Sequence, residues 1–255
     1  ISDPAIRTNK DDATVPLSPS EEIWLQKHPT IRVGMSPVIP PLKFADEGVV
    51  KGIEPDYLAL LSDIAGIQFQ YVIEDFSKMD ARVKSGDIDM FLSFYIPERL
   101  TYMTFTEPMM DFKQVIITRS DGPFMSGVGA LKGKKVATIK GVRLYEKLLR
   151  PYPEIEVVQV ANGEEAFKAV AESKADALIA RTYTAGYVMQ HYPTLKIAGI
   201  AEFPPDPYRY AVRKDYPELA AILNKAIAAI SRDQHDAIVQ KWFNVRIEYR
   251  PNWTQ

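Results

Sequence analysis

The sequence predicts an α/β protein of two lobes, on three observations. Short apolar runs bounded by turn residues alternate with segments of helical period. This alternation occurs twice, in stretches of similar size. Two further strand-like runs, near Ile117 and Arg209, stand where the chain would cross from one stretch to the other and back. Each lobe is expected to be a mostly parallel sheet flanked by helices, joined through two hinge crossings, because strands buried on both faces read as continuous apolar runs. Hinge closure on a ligand is the motion such a layout permits.

The elements follow in order. Residues 1–16 are polar and aperiodic and read as a linker or tail. Ser18 and Ser20 are candidate helix caps, Pro19 suits a first turn, and Glu21 to Lys27 forms a short helix that His28 and Pro29 end. Ile31 to Met35 is a strand, and the loop SPVIPPLKF after it is stiffened by three prolines. Gly52 to Gly66 carries Tyr57, Leu60, Leu61 and Ile64 on one helical face, with Asp56 near its amino end. A strand at Phe69 to Glu74, a helix at Met79 to Lys84 and a strand at Asp89 to Ser93 complete a β-α-β-α-β series.

Val115 to Arg119 is a crossing strand. The second series has strands at Lys134 to Ile139, Glu156 to Val160, Asp176 to Ala180 and Leu195 to Ile200. Its helices are Val142 to Arg150 and one capped by Asn162, with Glu165 at capping-box spacing. Tyr208 to Arg213 is the returning strand, Pro217 to Ser231 a strongly periodic helix, and a last helical piece ends at Lys241, Trp242 and Phe243, whose aromatics read as packing. The division is therefore residues 17–117 for the first part of lobe 1, 118–208 for lobe 2, 209–247 for the return to lobe 1 and 248–255 for a tail toward a membrane segment.

Composition narrows the function classes. The 255 residues are 46% apolar and 25% charged, which is ordinary globular composition, and the formal net charge of −2 gives no basic stripe for nucleic acid. The absence of cysteine excludes disulfides, thiolate metal sites and a cysteine nucleophile. His28, His191 and His235 show no metal-ligand spacing, so neither a metal nor a cofactor is expected. No apolar run reaches the length of a membrane span, and without an initiator Met the chain is expected to be a processed or excised piece.

The stretch from Ser85 to Pro108, SGDIDMFLSFYIPERLTYMTFTEP, carries the sharpest signal. Its apolar run Met90, Phe91, Leu92 reads as a buried parallel strand, with Asp87 and Asp89 shaping the turn before it. Arg99 lies just beyond the strand's carboxyl end, the edge where open α/β sheets bind ligands. The competing reading is a surface arginine paired with Glu98 or Glu107.

Five blocks in order favour the pocket reading. "IRVGM…PPLKF…KGIEPDYLALL", "KSGDIDMFLSFYIPERLTYMTFTEPM", "LKGKKVATIKG", "ADALIA" and "QKWF" resemble the extracellular solute-binding proteins of family 3, over roughly Ile31 to Phe243. The preamble "LSPSEEIWLQKHPTIRVG" is similar to the subset that forms periplasmic sensor domains of hybrid histidine kinases. The resemblance implies a periplasmic binding protein type II fold, or Venus flytrap. It implies a non-enzymatic periplasmic domain that binds a small molecule between lobes and signals by closure, anchored through membrane segments outside this chain and compatible with a homodimer.

Carried over residue by residue, the family's carboxylate-binding arginine falls on Arg99. The stacking aromatic falls on Phe76, which reads equally as lobe core, and a second aromatic position falls on Ile39. The acidic position after the first strand falls on Ser36, and the hydroxyl positions before the arginine on Phe94 and Ile96. In the second lobe the turn residues are Lys140, Gly141, Val142 and Arg143, and the ammonium-binding acid falls on Arg181. An ammonium buried without acceptors costs several kcal/mol, so these departures point away from an ordinary amino acid and toward a small organic acid, aromatic or dicarboxylic. The alternatives are a free binding protein of an ABC importer for amino acids or related acids and, from the enzyme class, a dehydratase of the cyclohexadienyl type with Glu98 as its acid.

Overall fold

The computed structural model describes residues 15–140 and 148–242. The chain forms two compact units: residues 15–111 with 206–242, and residues 112–205. The expected helix Val142 to Arg150 and the candidates Val142 and Arg143 fall mostly or wholly on residues 141–147, outside the described part.

The first unit opens with α1 (Pro19–Lys27), capped as its sequence predicts. Ser18 N–H donates to Glu21 Oε2 at 2.6 Å, and Glu21 N–H donates back to Ser18 Oγ at 3.3 Å. Glu21 also accepts from Lys225 Nζ at 2.7 Å. That bond, with the Ser18 N–H bond next in weight, holds the carboxyl below its usual range. The central sheet contains β1 (Thr30–Met35), β5 (Gln68–Ile73), β6 (Met90–Ser93), β7 (Met103–Phe105) and β13 (Arg209–Arg213), in the order β5-β1-β6-β13-β7. The first three are parallel, while β13 is antiparallel to both its neighbours. The sheet is therefore mixed rather than mostly parallel, because the returning strand is inserted between β6 and β7.

The proline-rich stretch is not simply a loop. Val38–Ile39 (β2), Lys43–Asp46 (β3) and Val49–Lys51 (β4) form a small antiparallel sheet. The β3–β4 turn has Glu47 at φ 47° and Gly48 at φ 78°, two consecutive left-handed residues of the kind that tight hairpins need. The signal in the sequence was Asp46-Glu47-Gly48 between β-branched and aromatic residues; the neighbouring prolines obscured it.

Helix α2 (Ile53–Ala65) buries Tyr57, Leu58, Leu60, Leu61 and Ile64, and α6 (Pro217–Ala229) buries Leu219, Ile222, Leu223, Ala226 and Ile227 against it. Each leucine or isoleucine removed from water contributes roughly 1.5–3 kcal/mol, which exceeds what helix propensity alone supplies. Helix α2 is preceded by its N-cap Gly52, whose φ of 137° is available to glycine; a Cβ there would lie 2.6 Å from Leu42 O. In a separate cluster, α3 (Met79–Lys84) packs Met79 and Val83 with Phe91.

The last described helix, α7 (Arg232–Trp242), docks on the start of α2 through polar groups. Trp242 Nε1 and Lys241 Nζ donate to Asp56 at 2.6 and 2.9 Å, and Tyr57 Oη lies 2.7 Å from His235 Nδ1. Trp242 also meets Phe44 edge-on at 5.6 Å, so its packing role is the one the sequence predicts.

The second unit has its sheet in the order β10-β9-β11-β8-β12, built from Glu156–Val160 (β10), Lys135–Ile139 (β9), Ala177–Arg181 (β11), Gln114–Arg119 (β8) and Leu195–Ala201 (β12). The pairs β10/β9 and β9/β11 are parallel, while β8 is antiparallel to both neighbours. Val115 and Ile117 of β8 enter one core with Phe167 and Val170 of α4 (Gly163–Ala171), and Ile116 enters the opposite core with Leu131 and Val136. With both faces buried, β8 is a central strand of this sheet. The division accordingly falls at Asp111/Phe112, ahead of the crossing expected near Ile117. Asn162 caps α4 by accepting from Glu165 N–H at 2.9 Å.

Two tests follow from buried charge. Lys43 Nζ lies 2.8 Å from Glu54 Oε2, with side chains 5% and 0% exposed, yet neither Glu54 oxygen has an aligned hydrogen-bond donor. Burial pushes the Glu54 carboxyl up, against the pull of Lys43. Glu54→Leu alone is expected to cost about 3–5 kcal/mol by leaving Lys43 uncompensated, whereas Glu54→Leu with Lys43→Met should return stability to the wild-type level or above in urea unfolding.

Burial, opposed by Asp236, holds the His235 pKa below its ordinary 6.5, so the fold favours the neutral ring. Above pH 6.5 the ring is neutral folded or unfolded. Below it the unfolded chain takes the proton first, and stability is lost until the folded-state pKa is reached. Thermal melts between about pH 7.5 and 5.5 should therefore show a smaller acid-side loss for His235→Gln than for the wild type.

Candidate functional site

In the first unit the parallel strands β1, β5 and β6 end at one sheet edge, and four of the predicted residues follow these ends: Ser36 after β1, Phe76 after β5, Phe94 and Arg99 after β6. The chain leaves β6 at Ser93, and Pro97 starts a single 3₁₀ turn, Pro97–Thr101, that turns Arg99 inward. Its side chain is 7% exposed, which rules out the surface pairing with Glu98 or Glu107.

Its partner is Asp80 in the first turn of α3, a residue that sequence reasoning missed. Arg99 Nε donates to Asp80 Oδ1 at 2.8 Å and Nη2 to Oδ2 at 3.1 Å, a bidentate fork, while Nη1 donates to Ser93 Oγ. Tyr102 Oη donates to Asp80 Oδ1 at 2.9 Å. The guanidinium carbon lies 5.0 Å from the Phe91 ring centroid and 5.8 Å from that of Phe76. Burial raises the Asp80 pKa, but the Arg99 and Tyr102 hydrogen bonds outweigh it and hold the carboxyl below its ordinary value. The only advance signal was an acid in a short helix following a strand, which is too common to single out Asp80.

The remaining candidates separate by exposure. Ser36 is buried at the end of β1. Phe76 is 45% exposed and touches Phe91 edge-on at 5.9 Å, so it stands at the rim of the arginine's surroundings rather than in the core. Phe94 is half-buried and stacks on Tyr208 at 4.3 Å, a partner from the returning chain that the sequence did not reveal. Ile39 is 39% exposed on β2. Glu98 is exposed, and the carboxylate on the arginine is Asp80.

In the second unit Arg181 is the last residue of β11 and Lys140 follows the parallel neighbour β9, so both stand at the carboxyl edge of that sheet. Arg181 is buried at 8% exposure, with Nη1 donating to Phe112 O at 3.3 Å, and immediately precedes α5 (Thr182–Val188). It is therefore an inward arginine rather than an outward surface residue. Lys140 is exposed. A hollow of about 310 Å³ over β9 and β10 is lined by residues such as Thr138, Tyr152 and Gln159, and includes none of the described candidates. Among the described residues, no group of His, Asp and Glu is placed to hold a metal ion.

Two compact units, each a five-stranded mixed sheet with helices, are the architecture of the two-lobed binding-protein class. The chain belongs to the bacterial extracellular solute-binding proteins, family 3, which it matches over residues 31–245. It is 29% identical to the virulence sensor protein BvgS of Bordetella pertussis over 230 residues, covering 88% of this chain, and 28% identical to the sensor protein EvgS of Escherichia coli over 234 residues, covering 90%. In both cases the chain spans 19% of the relative's length. The crystal structure of the B. pertussis BvgS periplasmic VFT2 domain superposes with a TM-score of 0.75 at 29% identity, covering 89% of this chain and 99% of that one.

Proposed function

We propose that this chain is the periplasmic ligand-sensing domain of a membrane-bound sensor histidine kinase, itself without enzymatic activity, and that it recognises a small organic acid. The sensor assignment is supported by the likeness to BvgS and EvgS and by the match to the whole length of a periplasmic VFT domain. The ligand class is supported chiefly by Arg99, a buried guanidinium at the carboxyl edge of the first unit's strands, flanked by Phe76 and Phe91. Arg181, at the equivalent strand end of the second unit, adds a second cation where an ammonium-binding acid would otherwise stand. Ligand binding then biases a two-state equilibrium of the fold by its differential affinity for the two states.

A thermal-shift screen against aromatic and dicarboxylic acids tests this, because a ligand at about 100 times its dissociation constant adds about 2.7 kcal/mol of apparent stability. A hit should lose its shift in Arg99→Ala and be weakened in Arg181→Ala. A full shift retained in Arg99→Ala would move the site elsewhere, and a response to zwitterionic amino acids but not to acids would overturn the ligand class.

A further inference from the structure

Arg99 is not a bare cation waiting for an anion. Of the five N–H donors of a guanidinium, Nε and one from Nη2 are held by Asp80 and one from Nη1 by Ser93. The edge of the guanidinium that grips a carboxylate is therefore already filled. The pair is asymmetric: the arginine side chain is 7% exposed and the aspartate 38%, so Asp80 is the partner that faces water. A buried guanidinium without a counter-charge is strongly unfavourable, and Asp80 supplies that charge.

We propose that Asp80 is a specificity-determining residue, an internal carboxylate seated on Arg99 whose hold an incoming organic acid must displace. This rests on reading Arg99 as the ligand's anion contact. Asp80 is well placed to yield. It stands at the second position of a six-residue helix, and among the described residues the other hydrogen bond to its side chain is from the Tyr102 hydroxyl. Swinging outward, it exchanges the Arg99 fork for water, while the ligand's carboxylate takes the fork and keeps the guanidinium paired. Binding is then an exchange of one carboxylate for another. Affinity is set low by the difference between them, and a weakly basic or poorly shaped anion fails to displace the resident group.

The test is calorimetric titration of the chain with benzoate and with succinate. Asp80→Asn removes the competing charge and should tighten binding of whichever acid binds by at least about tenfold, since hydrogen bonds to charged groups are among the stronger ones. Tyr102→Phe removes only the hydroxyl that steadies Asp80 and should tighten binding by about two- to threefold. It keeps the test usable if Asp80→Asn folds poorly. Binding that depends on Arg99 but is unchanged or weaker in both variants would overturn the displacement role and leave the acid-sensing reading intact. Binding of neither acid to the wild type or to either variant would overturn both. Binding seen only in Asp80→Asn supports both, with the resident carboxylate as the reason the wild type is silent.

Discussion

The first unit depends on one buried carboxylate at the amino side of its sheet. Asp89, whose side chain is 3% exposed, accepts the Arg32 backbone N–H at 2.8 Å, the Arg32 guanidinium at 2.6 and 3.0 Å, and Arg213 at 3.4 Å. Its own N–H donates to Arg32 O, and its carbonyl accepts from Arg213 N–H. One residue thus ties β1, β6 and β13 together just ahead of β6, with both ions of each pair matched by hydrogen bonds rather than left to Coulomb attraction alone. A shift of register in any of the three strands would strand that carboxylate. The positions of Ser93 and Arg99 at the far end of β6 follow from this lock.

The two ends of β6 therefore carry acid–arginine pairs of different character. The Asp89 cluster is closed, because its acid is almost wholly covered. The Arg99–Asp80 pair is half open, because its acid faces solvent while its base does not. Stability is served by the first arrangement and exchange by the second. Placing exchange at the carboxyl edge follows from the parallel strands, whose ends leave the following turns to position polar side chains without breaking the ladder.

Much of this was legible in the sequence. The periodicity of α2 and α6, the cap at Ser18, the strand at Met90–Ser93 and the family's order of blocks all announced themselves, since each is a local pattern with a local physical cause. What stayed hidden was set by pairing across long separations. The Phe94–Tyr208 stack and the insertion of β13 beside β6 depend on how the returning chain lies. Asp80 was silent because nothing near it names Arg99, and the three short strands at Val38–Lys51 were masked by prolines that usually mark irregular chain. Val142 and Arg143 belong to residues outside the described part.

The position of β13 has a consequence for the order in which the protein is made. Among the described residues the second unit is one continuous stretch between Asp111 and Asp206, so all of its described strands are synthesised together. The first unit, although begun earlier, must wait with a gap between β6 and β7 until that stretch has been synthesised. During that interval the edges of β6 and β7 are unpaired and α2 lacks α6 to cover it, which is the condition in which strands seek foreign partners. The described strands of the later unit are thus all made before the earlier sheet can be completed, and the nascent chain is most vulnerable in the part that carries Arg99.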